Sequence, residues 1–163
     1  MTCGCVVRFY FLSAECDAGY GTGEKHCGDC DYTELNSIHN WRQTLSSFYL
    51  CTLYDDYGNT FTSIIQMYKC IIFFSKHQIS YSKCYTIFSH LNQKESKATT
   101  KIDNLEILEY VVKSKYESNH KLNRVLKLTG TSKLVYYKHA EDYIENLDIV
   151  LENERGRIRK EML

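Results

Sequence analysis

The sequence predicts an α+β domain, mostly helical, with a few short strands. Three observations carry this. Apolar residues recur at i, i+3, i+4 and i+7 in several stretches beyond residue 60, the period of a helix with one buried face. Short apolar runs such as "VVRFYF" and "SKLVYY" read as strands. A chain of 163 residues also forms a single domain with an adequate core of its own.

Two regions are distinguished. Residues 1–40 are a Cys- and Gly-rich N-terminal segment, and residues 41–163 are the patterned domain. In the first region "VVRFYF" is a strand candidate, and "DAGYGTGEKHCGDCDY" reads as a loop or small knuckle. In the second, "FYLCTLY" alternates weakly, "DDYGN" supplies turn chemistry and "TFTS" follows. This order predicts a strand or hairpin leading into a helix over about 61–77. Phe61, Ile64, Ile65, Tyr68 and Ile72 line one face of that helix.

A second helical piece runs from Ser82 to Leu91, and "NQKESKATTK" reads as a surface loop. Asp103 with Glu106 resembles a capping box. The helix after it is expected to bury Leu105, Leu108, Val112 and Tyr116. Asn119 is placed to cap the next helix, with Leu122, Val125 and Leu126 inward and Gly130 as its stop. "SKLVYY" is a short buried strand. The last helix, about 140–155, puts Ala140, Tyr143, Ile144, Leu147 and Leu151 on one face, and "RGRIRK" ends it with positive charge.

The formal net charge is zero. No basic excess argues for nucleic acid, and no apolar run approaches the ~18 residues that span a bilayer. Proline is absent, where average usage predicts roughly eight. Together with plentiful Lys, Ile and Asn, this fits an AT-rich, viral source. The start faintly resembles a secretory signal, but Arg8 interrupts its apolar run. Five of the eight cysteines fall within the first 30 residues, and the other three lie in apolar periodic segments. A disulfide scaffold spreads its cysteines more evenly, so a reducing, intracellular (cytoplasmic) setting is expected.

Within that cluster "KHCGDC" gives Cys27-x-x-Cys30 with His26 before it and Cys16 upstream. The pair has the spacing of half a tetrahedral zinc site. Cys16, Cys27, Cys30 and His26 are therefore the candidate ligands of a structural zinc, against the plainer reading of free thiols in a loop. No Ser/His/Asp order, G-x-S-x-G turn or phosphate-binding loop is present.

The ordered pieces "SSFY", "TFTSIIQMYKCIIFF", "YTIF…ESK", "VVKSKYESNHKLNRVLKLTGTSKLVYY" and a final helix with an Arg resemble the NADAR (YbiA-like) family. The resemblance covers about residues 43–157. Its most specific part is Lys115-Tyr116 through Asn119, Leu122, Leu126, Thr129, Gly130 and Leu134-Val135. Members resemble N-glycosidases acting on ADP-ribosylated guanine or on ribosylamines of riboflavin synthesis. Such cleavage passes through an oxocarbenium-like state and requires a carboxylate.

Carried over by position, Ser46, Phe48 and Tyr49 match the first motif, and Ser47 replaces its asparagine. The resemblance makes Ser47, Phe48, Tyr49 and Tyr68 candidate ligand-binding residues. The family's glutamate falls on Ile65 and its lysine on Ile72; Gln66 points about 100° away around the helix. Tyr136 replaces the glutamate after "KLV", and the closing Arg falls on Arg155. Asp142 and Glu141 are the candidate catalytic carboxylates that remain.

The expectation is a degenerate NADAR-like protein that keeps the fold and has lost the glycosidase chemistry. Its role would be to bind an ADP-ribose or ribosylated-base ligand, or a protein partner. Two alternatives stay open: an active divergent N-glycosidase using Asp142 or Glu141, and a zinc-stabilised interaction module.

Overall fold

The computed structural model describes residues 6–9, 26–27, 30–90, 104–137 and 143–161. The architecture is α+β and mostly helical. In chain order the elements are β1 (Val6–Phe9), β2 (His26–Cys27), β3 (Cys30–Asp31), α1 (Thr33–Asn36), a 3-10 turn (Gln43–Leu45), β4 (Leu53–Tyr54) and β5 (Thr60–Phe61). There follow α2 (Ile64–Lys76), α3 (Tyr81–Ser89), α4 (Leu105–Ser118), α5 (His120–Leu128), β6 (Lys133–Tyr136) and α6 (Leu147–Glu161).

Three two-stranded sheets are present among the described residues. β1 pairs with β6 in parallel, Val6 opposite Lys133 and Phe9 opposite Tyr136. The Tyr137 N–H extends the pairing by donating to the Phe9 carbonyl at 3.1 Å. A strand from the first 40 residues therefore lies in the core, with Val7 and Phe9 fully buried. β2 and β3 form a tight antiparallel hairpin with Cys27 opposite Cys30.

The expected hairpin before α2 is β4–β5. Asp55 organises its turn, accepting from the Tyr57 N–H at 2.9 Å, the Asn59 N–H at 2.8 Å and the Asn59 side-chain amide at 2.9 Å. Gly58 takes φ +85° there, a conformation that only a residue without Cβ adopts freely. The Tyr81 hydroxyl also donates to Asp55, at 2.7 Å, and ties the turn to α3.

The helix caps decide where the helices begin. Ser63 accepts from the Gln66 N–H, so α2 starts at Ile64 rather than at Phe61. Ser80 caps α3 in the same way. Asn104 caps α4 through the Ile107 N–H at 3.1 Å; Asp103, expected in a capping box with Glu106, lies outside the described residues, as does the "NQKESKATTK" loop. Leu105 turns out exposed, and Val111 and Lys115 join Leu108, Val112 and Tyr116 inside. α6 begins seven residues later than the apolar series implies: Asn146 sits at φ +67°, which ends any run of right-handed helix ahead of it. Tyr143 and Ile144 precede the helix, Ala140 lies outside the described residues, and the "RGRIRK" stretch is inside the helix, with Arg159 and Lys160 in its last turn.

α4 is the central helix, packing on α2, α5, α6 and β4. Its partners supply a single core that includes Leu45, Phe61, Met67, Leu126, Leu134 and Leu151. Among the described residues no helix is long and apolar enough to cross a membrane.

Candidate functional site

Three of the positions that the resemblance singles out, Ser47, Ile65 and Tyr136, meet where the 45–49 segment reaches the N-terminus of α2 and the end of β6. Ser47 is fully buried there. Its carbonyl accepts from the Ile65 N–H at 3.2 Å, so the segment is laid directly on the first turn of α2. Its N–H donates to the Tyr136 hydroxyl oxygen at 3.0 Å, and that hydroxyl donates back to Ser47 Oγ at 3.4 Å. The Tyr136 ring lies between Phe9, 4.6 Å away, and Tyr143, 5.6 Å away.

Ile65 is itself buried, at 1% exposure. Its side chain is aliphatic and carries no proton donor, lone pair or charge. Gln66 is buried as well, and its amide is engaged elsewhere. Its Oε1 accepts from the Thr62 N–H at 2.8 Å, and its Nε2 donates to the Phe88 carbonyl at 2.9 Å, which clasps α2 to α3. Ile72 is half-buried against the core.

Phe48 and Tyr68 are buried in the core, whereas Tyr49 is half-buried. Tyr49 lines an open groove of about 440 Å³ together with Leu50, Thr52, Asn119, His120 and Lys121. A second groove, of about 510 Å³, runs between α4 and α6 past Glu106, Glu109, Tyr110, Lys113 and Arg157. Its charges are mixed, with Arg157 near Glu117 at 3.7 Å and hydrogen-bonded to Glu154, the pattern of a solvated helix face.

Glu141, Asp142 and Cys16 lie outside the described residues. Of His26, Cys27 and Cys30 the backbone is described, and it forms the β2–β3 hairpin. Among the described residues no group of three or more His, Cys, Asp or Glu is arranged to hold a metal ion.

The structure adds a residue to the site that sequence reasoning used only as a motif marker. Lys115, on α4, is completely buried. Its ammonium donates to the Thr44 carbonyl at 2.6 Å and the Ser46 carbonyl at 3.3 Å. It also lies 5.8 Å from the centre of the Tyr49 ring and 5.4 Å from that of Tyr116, within cation–π range. Burial pulls its pKa down to about 8, and the neighbouring Cys51 opposes that shift. A lysine with a lowered pKa is a common mark of a functional site. Here no surface of the side chain is open to a ligand, so its part is to pin the 44–46 carbonyls. The signal was present in the sequence: Lys115 falls on the apolar series Leu108, Val111, Val112, Tyr116.

The remaining matched motif residues are also structural. Asn119 stands at the start of α5 but its side chain does not cap it. It donates instead to the Thr52 carbonyl at 2.9 Å and the Lys115 carbonyl at 2.7 Å. Gly130 stops α5 at φ +66°. Arg155 is buried and holds the turn after α5 through Thr129 and Ser132.

The buried Tyr116 hydroxyl has no hydrogen-bond partner among the described residues. Desolvation holds its pKa well above the ordinary phenol value. An unmet buried hydroxyl is unfavourable, so Tyr116→Phe is expected to raise stability by about 1 kcal/mol. Urea unfolding checks this, and a loss of stability would mean that the hydroxyl has a partner.

No family model matches this sequence, and no curated protein matches it. In structure the chain is similar to the Escherichia coli protein YbiA, solved by NMR. The TM-score is 0.51 at 13% sequence identity, over 96% of this chain and 87% of YbiA. The order of elements reached from the sequence and the architecture reached by the chain therefore agree on one conclusion: this protein has the YbiA fold.

Proposed function

We propose that this chain is a NADAR-like protein without N-glycosidase activity, which uses the inherited fold to bind a ligand or a partner. The observation that carries this reading is Ile65. It stands where the resemblance places the catalytic glutamate, at the first turn of α2, and it is buried. Cleaving a ribose–nitrogen bond requires a carboxylate to activate water or to stabilise the developing cation. The residue that replaces it can do neither, and the adjacent Gln66 is held by Thr62 and Phe88.

The motif residues that persist support the same reading, because each has a structural task. Lys115 holds the 44–46 carbonyls, Asn119 holds Thr52, and Arg155 holds Thr129 and Ser132. Selection for the fold alone accounts for keeping them.

The test is hydrolysis of ADP-ribosylated guanine by the purified chain, followed by release of ADP-ribose. No turnover above the uncatalysed rate is expected. Turnover that disappears in Asp142→Asn or Glu141→Gln would overturn the reading and establish a divergent active enzyme that uses those carboxylates.

A further inference from the structure

The β2–β3 hairpin brings two cysteines into register. Cys27 lies directly opposite Cys30, and His26 lies opposite Asp31. Opposed Cα atoms in an antiparallel ladder are about 4.5–5.5 Å apart, inside the window of about 4.4–6.8 Å that a disulfide spans. Successive residues of a strand alternate between faces. The register therefore places Cys27 and Cys30 on one face of the hairpin, and His26 and Asp31 on the other. This face offers a metal ion two thiolates, half of a tetrahedral set, whereas a disulfide needs nothing beyond the pair. The strand that carries Cys30 is anchored just beyond it. Asp31 accepts from the Thr33 N–H at 2.9 Å and from the Thr33 hydroxyl at 2.6 Å, at the start of α1. Tyr32 and Leu35, which follow, are buried in the core. The remaining cysteines among the described residues are placed differently: Cys70 and Cys84 are buried in the core, and Cys51 is half-buried.

We propose that Cys27 and Cys30 are a reversible redox pair, a dithiol that a low-molecular-weight disulfide such as oxidised glutathione converts to a Cys27–Cys30 disulfide. One cysteine thiolate attacks the S–S bond of the oxidant, forming a mixed disulfide and releasing one small thiol. The other thiolate then attacks the protein sulfur of that mixed disulfide and releases the second small thiol. The protein gives up two protons and two electrons, and the two released thiols carry them away. The bond closes a very short loop, which constrains the unfolded chain little, and an excess of small thiol reverses it. The site is separate from Ile65 and holds whether or not glycosidase chemistry is retained.

The full chain is equilibrated in buffers of graded reduced and oxidised glutathione with a metal chelator present, then quenched in acid and alkylated. Trypsin cuts after Lys25 and Arg42, so the peptide of residues 26–42 carries these two cysteines and no other. The expected result is a single transition of that peptide from the doubly alkylated form to an unalkylated form two hydrogens lighter than the dithiol, retraced when reduced glutathione is restored. Cys70 and Cys84 stay reduced throughout. Cys27→Ser and Cys30→Ser each stop at a mixed disulfide with one glutathione. A peptide that remains reduced in oxidised glutathione alone, that takes up two glutathiones, or in which either cysteine pairs with a cysteine elsewhere in the chain overturns the proposal. So does zinc that binds one ion per chain without the chelator and shields both thiols from the oxidant, which would assign the pair to a metal site instead.

Discussion

Replacing Arg155 by Ala is expected to destabilise the protein by about 4 kcal/mol, the range for breaking a buried charged network. Arg155 reaches from α6 to the turn that joins α5 to β6. One terminal nitrogen donates to Thr129 Oγ1 at 3.0 Å and to Ser132 Oγ at 3.4 Å, and the other donates to the Ser132 carbonyl at 2.6 Å. Thr129 and Ser132 are fully buried. Their own hydroxyl protons go to the Leu126 and Thr129 carbonyls, at 2.6 Å and 2.7 Å. The arginine thus completes a closed set of bonds, and truncation leaves buried acceptors without donors. Each hydrogen bond to a charged group is worth about 1.5–3 kcal/mol. The measurement is the shift of the urea midpoint at unchanged slope. Arg155→Lys should recover only part of the loss, because an ammonium lacks the planar fork that spans two partners. A loss below about 1.5 kcal/mol, no more than one such bond, would mean that the turn holds itself.

The second large effect is a pH dependence set by Lys115. Its folded pKa lies near 8, against 10.5 for an unburied lysine, and burial is the first cause. Below about pH 8 both the folded and the unfolded chain carry the proton, and the folded state bears the full penalty of a buried charge. Between about 8 and 10.5 the unfolded chain binds more protons, so stability rises with pH across that window. The rise attributable to this lysine is about 3 kcal/mol. The neutral amine can still donate to the Thr44 and Ser46 carbonyls, so the contact outlasts the charge.

Other groups oppose it. The Cys70 thiol is pushed up to about 12, mainly by burial. A raised acid pKa contributes stability that is lost as pH climbs above the ordinary thiol value of 9. The comparison is therefore made against Lys115→Met, in which the Cys70 effect is common to both proteins and cancels. The difference in unfolding free energy between the two should grow in favour of the lysine protein from pH 8 upward. A flat difference would show that the ammonium is not desolvated as its burial implies.

Much of the scaffold is legible in the residues. The period of Ile64, Ile65 and Tyr68 gives the inner face of α2. The "DDYGN" turn gives the β4–β5 hairpin because Asp55 can satisfy three donors of its own loop. Gly130 stops α5 where a positive φ is needed. These are local effects, decided within a few residues by sterics and short-range hydrogen bonds. The helix starts are less legible for the same reason: several neighbouring polar residues can cap, and the one that does depends on how the entering chain is held.

The sequence by itself determined the α+β class, the order of helices and the absence of an ionisable side chain at Ile65. Only the tertiary structure decided which distant segments meet. Nothing in "VVRFYF" announces that Val6–Phe9 lies parallel to Lys133–Tyr136. Nothing in the Asn119 side chain announces that it reaches Thr52 instead of capping α5. Lys115 falls on the apolar face of α4 in the sequence, but only the fold brings the Thr44 and Ser46 carbonyls to its ammonium. Periodicity records that a face is apolar but not what lies against it. Partners such as Ser47 and Tyr136 are chosen by packing across the whole domain, where the free energy of one contact depends on every element that brings it together.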